Sequence, residues 1–174
     1  ACLVGSEMCI RDRSGIMLDT RSFALHVGVR TFEAAAWLRS RGAETAATKR
    51  LFNISKEEYE ARAAIVEGAY LYKGCAIATS DELDPAMSVV LPMAANDLLT
   101  INGVDASFVA IAKNGGVNIS ARSMGELNVQ VILEPLGGGG HLTMAGAQLR
   151  DCTVKEAEAR IRAQIDEYLS LIHI

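Results

Sequence analysis

Four consecutive glycines followed by a histidine, Gly137 to His141, constrain the fold of this chain more than any other stretch. Glycine lacks a Cβ atom, so the run permits turns with positive φ and lets a ligand approach the main chain closely. Successive glycine N–H groups can form a concave nest for an anion, usually phosphate. His141 stands at the rim, where it can donate a hydrogen bond or act as an acid near neutral pH. A flexible linker is the alternative, but linkers usually mix Gly with Ser.

Composition indicates an ordinary globular domain, or one domain with a fragment of another. The net charge of −4 argues against a protein held to nucleic acid mainly by bulk positive charge. It does not exclude a local basic pocket. Cys75 and Cys152 have neither metal-ligand spacing nor a disulfide framework, which fits a reducing cytoplasm. No apolar run reaches the length of a membrane span, so we expect this piece to be cytoplasmic.

Both ends of the chain read as translated adaptor DNA. Glu7 to Asp12 is encoded by GAG ATG TGT ATA AGA GAC, and the complementary strand of the same element encodes Leu169 to Ile174. The element resembles the transposase end sequence of sequencing-library adaptors. We therefore expect residues 1–12 and 169–174 to be non-native, and such segments are left out of fold reasoning.

The order of elements predicts an α/β chain whose C-terminal part is α+β with a mixed sheet. Helices are predicted from Thr31 to Arg41, from the Ser55–Glu58 capping box to Ala69, from Asp84-Pro85 to Leu99 with a break at Pro92, from Glu126 to Leu133, and from the Thr153–Glu156 capping box to Tyr168. Strands are predicted at Gly15–Leu18, Gly74–Thr79, Phe108–Lys113, Val117–Ser123 and Ala145–Arg150, with a hairpin turn at Asn114-Gly115-Gly116.

The segment from Gly137 to Gln148, G-G-G-G-H-L-T-M-A-G-A-Q, resembles the last motif of the DHH-associated domain of DHH-family phosphodiesterases. The resemblance implies that the loop holds the substrate phosphate beside a two-metal centre. It assigns His141 a catalytic role and makes the loop glycines substrate-binding: Gly137, Gly138, Gly139 and Gly140. It also implies a domain order: residues 13–54 are the C-terminal remnant of an α/β DHH catalytic domain, 55–70 a linker helix, and 71–168 the DHH-associated substrate-binding domain.

Asp19 is the candidate metal ligand. It follows the predicted strand Gly15–Leu18, and ligands gather at the carboxyl ends of strands in open α/β sheets. A carboxylate there suits Mg²⁺ or Mn²⁺, although a capping or turn-forming Asp is the simpler explanation from position alone. The stretch G-I-M-L-D-T resembles the last metal-ligand motif of the DHH phosphodiesterases, which implies one ligand of a site for two Mn²⁺ ions. The family's D-x-D and D-H-H motifs are absent, so we expect the fragment alone to be inactive.

Two further stretches supply candidate substrate-binding residues. Asn118, Ser120 and Arg122 alternate along one strand, which places them on one face, where an arginine can bind phosphate or stack on a base. A solvent-exposed sheet face is the alternative. The stretch N-I-S-A-R-S resembles the family's substrate-binding strand, which implicates Ser120 and Arg122. Arg30 lies in G-V-R-T-F-E-A-A, which resembles the GdpP-like cyclic-di-AMP phosphodiesterases and implies a contact to phosphate or to another domain.

The resemblance as a whole implies a C-terminal piece of a GdpP-like phosphodiesterase that hydrolyses cyclic di-AMP to linear pApA. The parent is expected to be a homodimer anchored in the cell membrane. Two alternatives stay open. One is a nanoRNase or RecJ-like exonuclease acting on short RNA or single-stranded DNA. The other is a non-catalytic nucleic-acid-binding module, since related domains occur in alanyl-tRNA synthetases.

Overall fold

The computed structural model describes residues 3–24, 27–80 and 89–172 of the chain. The chain divides into two compact units, Ala1–Ser55 and Lys56–Ile174. In the described parts, no helix is both long enough and apolar enough to cross a lipid bilayer.

The described residues of the first unit form three helices: α1 (Leu3–Asp19), α2 (Val29–Ser40) and α3 (Thr45–Arg50). Its small core includes Leu38, Ala43 and the buried hydroxyl of Thr48, which donates to the carbonyl of Glu44 at 3.0 Å. Arg13 links α1 to the α2–α3 connection, since its Nη1 donates to the carbonyl of Ala43 at 3.1 Å.

Two predictions for this unit are wrong. The segment predicted as the strand Gly15–Leu18 forms the last turn of α1. A short apolar run fits either a strand or a helix. The described part of this unit offers no strand to pair with, so a helix is the form that satisfies its backbone groups. The helix start predicted at Thr31 is also wrong. Helix α2 begins at Val29 with Gly28 as its N-cap. Thr31 lies inside the first turn, where its Oγ1 accepts from the Gly28 N–H at 3.3 Å.

The second unit is built on a mixed six-stranded sheet within the described residues, with strand order β1-β2-β3-β4-β6-β5. The strands are β1 (Tyr70–Tyr72), β2 (Cys75–Ser80), β3 (Ala106–Lys113), β4 (Gly116–Ser123), β5 (Gly139–His141) and β6 (Met144–Leu149). Strands β2 and β3 are parallel and the other neighbours are antiparallel. The helices are α4 (Lys56–Glu67), α5 (Val90–Leu98), α6 (Val129–Leu133) and α7 (Val154–Ile172). The predicted α+β unit with a mixed sheet is confirmed.

Each face of the sheet buries its own apolar cluster. On the first face, which we call the α7 face, Phe108, Ile119 and Ala147 pack with Leu133 of α6 and Ile161 of α7. On the opposite face, which we call the α5 face, Val109 and Ile111 pack against α4 and α5. Alternate residues of each strand therefore face opposite sides, as period-two geometry requires. Ser107 fixes α5 to the sheet, because its buried hydroxyl donates to the Ala95 carbonyl at 2.6 Å.

Most local signals in the second unit correspond to the structure. The Asn114-Gly115 hairpin is confirmed: both residues have positive φ, 50° and 75°, and Lys113 pairs with Gly116. The capping box before α7 is also confirmed, since Glu156 accepts from the Thr153 N–H at 2.8 Å and Thr153 Oγ1 accepts from the Glu156 N–H at 3.3 Å.

The break predicted at Pro92 is not an interruption within a helix. Helix α5 starts at Val90, so Pro92 lies in its first turn, where a missing N–H costs no intrahelical bond. The predicted start at Asp84-Pro85 lies outside the described residues. At the chain ends, α1 runs past residue 12 and α7 runs past residue 168 without interruption, so the helices themselves do not mark the expected adaptor boundaries.

Candidate functional site

The glycine run follows α6 through a tight helix end. Asn128 caps α6, its Oδ1 accepting from the N–H groups of Gln130 at 3.1 Å and Val131 at 3.4 Å. A 3₁₀ turn, Glu134–Leu136, follows, and Gly137 closes it with a left-handed φ of 75°. This conformation favours glycine because other residues are strained there.

The four glycine N–H groups do not form one continuous anion nest. The Gly137 N–H donates to the Glu134 carbonyl at 2.9 Å and the Gly138 N–H to the Leu133 carbonyl at 3.0 Å. The nest expected from the whole run is therefore wrong for its first half, where the helix end uses both N–H groups. The second half, Gly139 and Gly140, begins β5 at the edge of the sheet.

The glycines of the run differ in what a side chain would meet. A Cβ on Gly138 would lie 2.6 Å from the Gly146 carbonyl oxygen and 2.9 Å from the Ala147 Cβ. A Cβ on Gly140 would collide with the Met144 carbonyl oxygen. A Cβ on Gly139 would meet no heavy atom within 4 Å, and its φ is not positive. Packing thus requires glycine at positions 138 and 140, whereas the fold itself does not require it at 139.

The sheet register brings the candidate residues into rows across β4, β6 and β5. Ser120 pairs with Gly146, which pairs with Gly139. Arg122 pairs with Met144, which pairs with His141. Directly paired residues point to the same side of a sheet, and residues two apart on one strand do so as well. The predicted residues Ser120, Arg122 and His141 therefore share the α5 face with Gly139.

Arg122 and Ser120 form one polar unit on this face. Nη1 of Arg122 donates to Ser120 Oγ at 3.1 Å and to the Ala121 carbonyl at 2.9 Å. Ser120 is buried, with 6% of its surface exposed, and Arg122 is half-buried. His141 is exposed at the end of β5. The guanidinium is thus folded back along β4 toward Ser120, while the imidazole is open to solvent on the neighbouring edge strand.

A cleft of about 510 Å³ opens beside this unit on the α5 face. Its floor contains Gly139 and Gly146, and its walls include Leu91 of α5 and the amide side chains of Asn118 and Gln148. Sequence reasoning had not singled out Gly146 or Gln148. The alternation of Met144, Gly146 and Gln148 along β6 is the signal that could have placed the three residues on one face of that strand.

The remaining two candidates, Asp19 and Arg30, belong to the first unit. Asp19 is the last residue of α1 and is exposed. It therefore ends a helix and not the strand on which its metal-ligand assignment was based. Arg30 lies exposed in the first turn of α2. Across residues 3–24, 27–80 and 89–172, no three His, Cys, Asp or Glu side chains come together as a metal site.

The backbone after Asp19 is unusual. Arg21, Ser22 and Phe23 have successive positive φ values of 46°, 59° and 68°. In a residue other than glycine, this left-handed conformation costs roughly 1–2 kcal/mol of conformational energy. Thr20 holds the turn, since its Oγ1 accepts from the Phe23 N–H at 2.9 Å and donates to the Ile16 carbonyl at 2.7 Å. Strain of this kind often accompanies functional sites.

The DHHA1 domain family matches residues 73–171, which is more than half of the chain. The chain therefore belongs to the DHHA1 domain family. The matched segment contains the whole glycine–histidine loop, the strand with Ser120 and Arg122, and the cleft beside them. The family relationship predicted from the loop sequence is confirmed.

Several curated relatives carry the name of a cyclic-di-AMP phosphodiesterase. The chain is 49% identical over 157 residues to Cyclic-di-AMP phosphodiesterase GdpP of Geobacillus thermodenitrificans, and 44% identical over 159 residues to the protein of the same name from Bacillus subtilis. Each alignment covers 89% of this chain and 24% of the relative. The chain thus spans about a quarter of the length of these proteins.

The fold also recurs in a solved structure. An exopolyphosphatase-related protein from Bacteroides fragilis superposes with a TM-score of 0.88 at 19% identity, covering 98% of this chain and 53% of that one. At this level of identity the similarity establishes the shared fold.

Proposed function

We propose that this chain carries the nucleotide-binding side of a phosphodiesterase that hydrolyses cyclic di-AMP to linear pApA. The observation that carries the proposal is the shared sheet face, on which Ser120 lies in one row with Gly146 and Gly139, and Arg122 and His141 lie in the next row on either side of Met144. The 49% identity to a protein named as a cyclic-di-AMP phosphodiesterase supports the choice of substrate.

The proposed roles follow from the chemistry of these groups. The Arg122 guanidinium binds two phosphate oxygens at once, and Ser120 holds it in place and adds a hydroxyl donor. His141 donates a ring N–H to a phosphoryl oxygen and stabilises the negative charge that develops there during the reaction. Gly139 leaves room for the phosphate to approach the backbone. In this proposal Gly137, Gly138 and Gly140 shape the loop that presents Gly139 and His141.

The described residues do not fit a two-metal centre. A pair of divalent ions needs several carboxylate or imidazole ligands, and the described part of this chain brings together no such group. Asp19 is an exposed carboxylate at a helix end. We keep Asp19 as one proposed ligand, and two Mn²⁺ ions as the proposed cofactor of the whole protein. No reaction step is assigned to this chain through them, and we expect the isolated chain to bind substrate without turning it over.

For the whole protein we further propose a homodimer anchored in the cell membrane, with Arg30 placed to meet phosphate or another domain. The alternative substrates, short RNA or single-stranded DNA, would occupy the same sheet face. They differ from cyclic di-AMP in length, so relative affinity separates the proposals.

Calorimetric titration of the purified chain tests this function. We expect pApA and cyclic di-AMP to bind more tightly than a ten-nucleotide RNA. Arg122→Ala and His141→Ala should each weaken pApA binding about tenfold or more, since a hydrogen bond to a charged group contributes roughly 1.5–3 kcal/mol. Arg160→Ala removes an exposed arginine of α7 and should leave affinity unchanged.

Three results would contradict the proposal. Unchanged pApA affinity in the Arg122 and His141 variants would show that pApA does not bind at these residues. Tight, metal-independent binding of tRNA would favour a nucleic-acid-binding module. Turnover of cyclic di-AMP by the chain in Mn²⁺, abolished by Asp19→Ala, would show that the chain holds a complete catalytic centre.

A further inference from the structure

The side-chain amides of two paired residues line the cleft together. Asn118 on β4 pairs directly with Gln148 on β6, so both amides stand on the α5 face. Both line the 510 Å³ cleft. Within the described residues, neither side chain hydrogen-bonds to another group. Asn118 is half-buried and Gln148 is exposed, so both are accessible to a ligand.

The amide pair lies at a fixed spacing from the Arg122–Ser120 unit. Asn118 is two residues from Ser120 on the same strand, which places the two rows about 7 Å apart. The row between the amides and His141 contains Gly146 and Gly139, which project no side chain into the cleft. A Cβ on Gly146 would approach only the Ile119 carbonyl oxygen, at 3.3 Å. Ser120 is the β4 member of this row, so within the described residues the floor is open over Gly146 and Gly139.

The cleft also has the lining expected around a base. Leu91 of α5 supplies an apolar wall. The same two amides and Arg150 also line an adjoining cleft of about 360 Å³ near the β3–β4 turn, so the groove continues past them. Binding sites for small ligands commonly combine apolar walls with a few polar groups that fix orientation.

We infer that Asn118 and Gln148 read the base of the bound nucleotide and favour adenine. A side-chain amide offers one acceptor and one donor side by side, which match the N6 amine and N7 of adenine, whereas O6 and N7 of hypoxanthine are both acceptors. The phosphate lies at Arg122, Ser120 and His141 and approaches the Gly139 backbone, the sugar crosses Gly146, and the base edge meets the amides. This inference rests on the proposed function, because it assumes that a phosphate occupies the Arg122 row.

The test is a set of titrations with three probes: 5′-AMP, 5′-IMP and ribose 5-phosphate. In 5′-IMP a carbonyl oxygen replaces the N6 amine, and ribose 5-phosphate has no base. We expect the chain to bind 5′-AMP about tenfold more tightly than 5′-IMP, within the range that a bidentate amide–base contact provides. In the double variant Asn118→Leu, Gln148→Met the ratio should fall below about twofold, while ribose 5-phosphate affinity stays the same.

Two further variants keep the test decisive. Gln148→Glu changes an exposed residue, so folding is not at risk, and its carboxylate can accept from N6 but cannot donate to a ring nitrogen. It should lower 5′-AMP affinity by about fivefold or more. Gln130→Met, the matched control, removes an amide of α6 that pairs with Glu134 outside the cleft and should change nothing.

The outcomes separate the inference from the proposed function. Equal affinities for 5′-AMP and 5′-IMP, or a preference for 5′-AMP that survives in the double variant, would overturn the adenine assignment while ribose 5-phosphate binding upholds the phosphate site. Failure of all three probes to bind would overturn the phosphate site and the adenine assignment together.

Discussion

Adjacent glycines of the loop should respond to the same substitution in opposite ways. Gly138→Ala would place a methyl group 2.6 Å from the Gly146 carbonyl oxygen and 2.9 Å from both the Leu133 carbonyl oxygen and the Ala147 Cβ. Two of these atoms are backbone oxygens of β6 and α6, which cannot move independently of their elements. Gly139→Ala would place its methyl group in open space.

The expected magnitudes follow from these contacts. Overpacking costs about 1–3 kcal/mol, and moving the loop away also weakens the Gly138 N–H bond to Leu133 by roughly 1 kcal/mol. Gly138→Ala should therefore lower the free energy of unfolding by about 3 kcal/mol and Tm by about 10 °C. Gly139→Ala should leave Tm within about 2 °C, or raise it slightly, because alanine reduces the entropy of the unfolded chain.

The pApA affinity should fall in Gly139→Ala even though this variant remains fully folded. The methyl group of Gly139→Ala stands in the cleft where we place the phosphate, so pApA affinity should fall about tenfold despite unchanged Tm. Thermal unfolding followed by circular dichroism, and titration with pApA at a temperature where both variants are folded, measure the two effects. Equal Tm values for both variants, or full pApA affinity in Gly139→Ala, would refute the reasoning.

The remaining predictions concern other parts of the chain. Burial, with a contribution from the nearby Asp105 carboxylate, raises the pKa of the Cys75 thiol to about 12. Iodoacetamide at pH 8 should therefore leave Cys75 unmodified while the half-buried Cys9 reacts. Modification of Cys75 in the native protein, detected by mass spectrometry, would contradict this. The hydrogen bond from Lys73 lowers the folded-state pKa of Asp166, so this stabilisation is full above the unfolded pKa near 4 and is lost as pH falls below it. In Asp166→Asn, that acid-dependent loss measured by urea unfolding between pH 5 and 3 should shrink, and an unchanged slope would refute the assignment. Ser22→Gly should stabilise the first unit by about 1 kcal/mol, because glycine tolerates φ of 59°; unchanged or lower stability in urea would count against strain there.

Local signals in the sequence predicted the second unit well. Asn114-Gly115 specifies a tight hairpin through its own backbone preferences, and Thr153 with Glu156 specifies a helix start through two hydrogen bonds. Such signals depend only on near neighbours, which explains why they could be read without the fold.

The errors arose where the outcome depends on partners distant in sequence. Gly15–Leu18 is apolar enough for a strand, but a strand needs a neighbour to pair with, and the described first unit has only helices. One error is local instead: the glycine run suggested four free N–H groups, yet the end of α6, only a few residues earlier, uses those of Gly137 and Gly138. The pairing of Gln148 with Asn118 depends on the β4–β6 register, which no local pattern shows.

The most direct test of the central claim is an amide-resolved NMR titration of the ¹⁵N-labelled chain with pApA. The claim is that the open α5 face over β4, β6 and β5 is the nucleotide site. We expect the largest shift changes within residues 118–122 and 137–148, and we expect them to vanish in Arg122→Ala. Shifts centred on α7 or on the first unit, or no shifts at millimolar pApA, would contradict it.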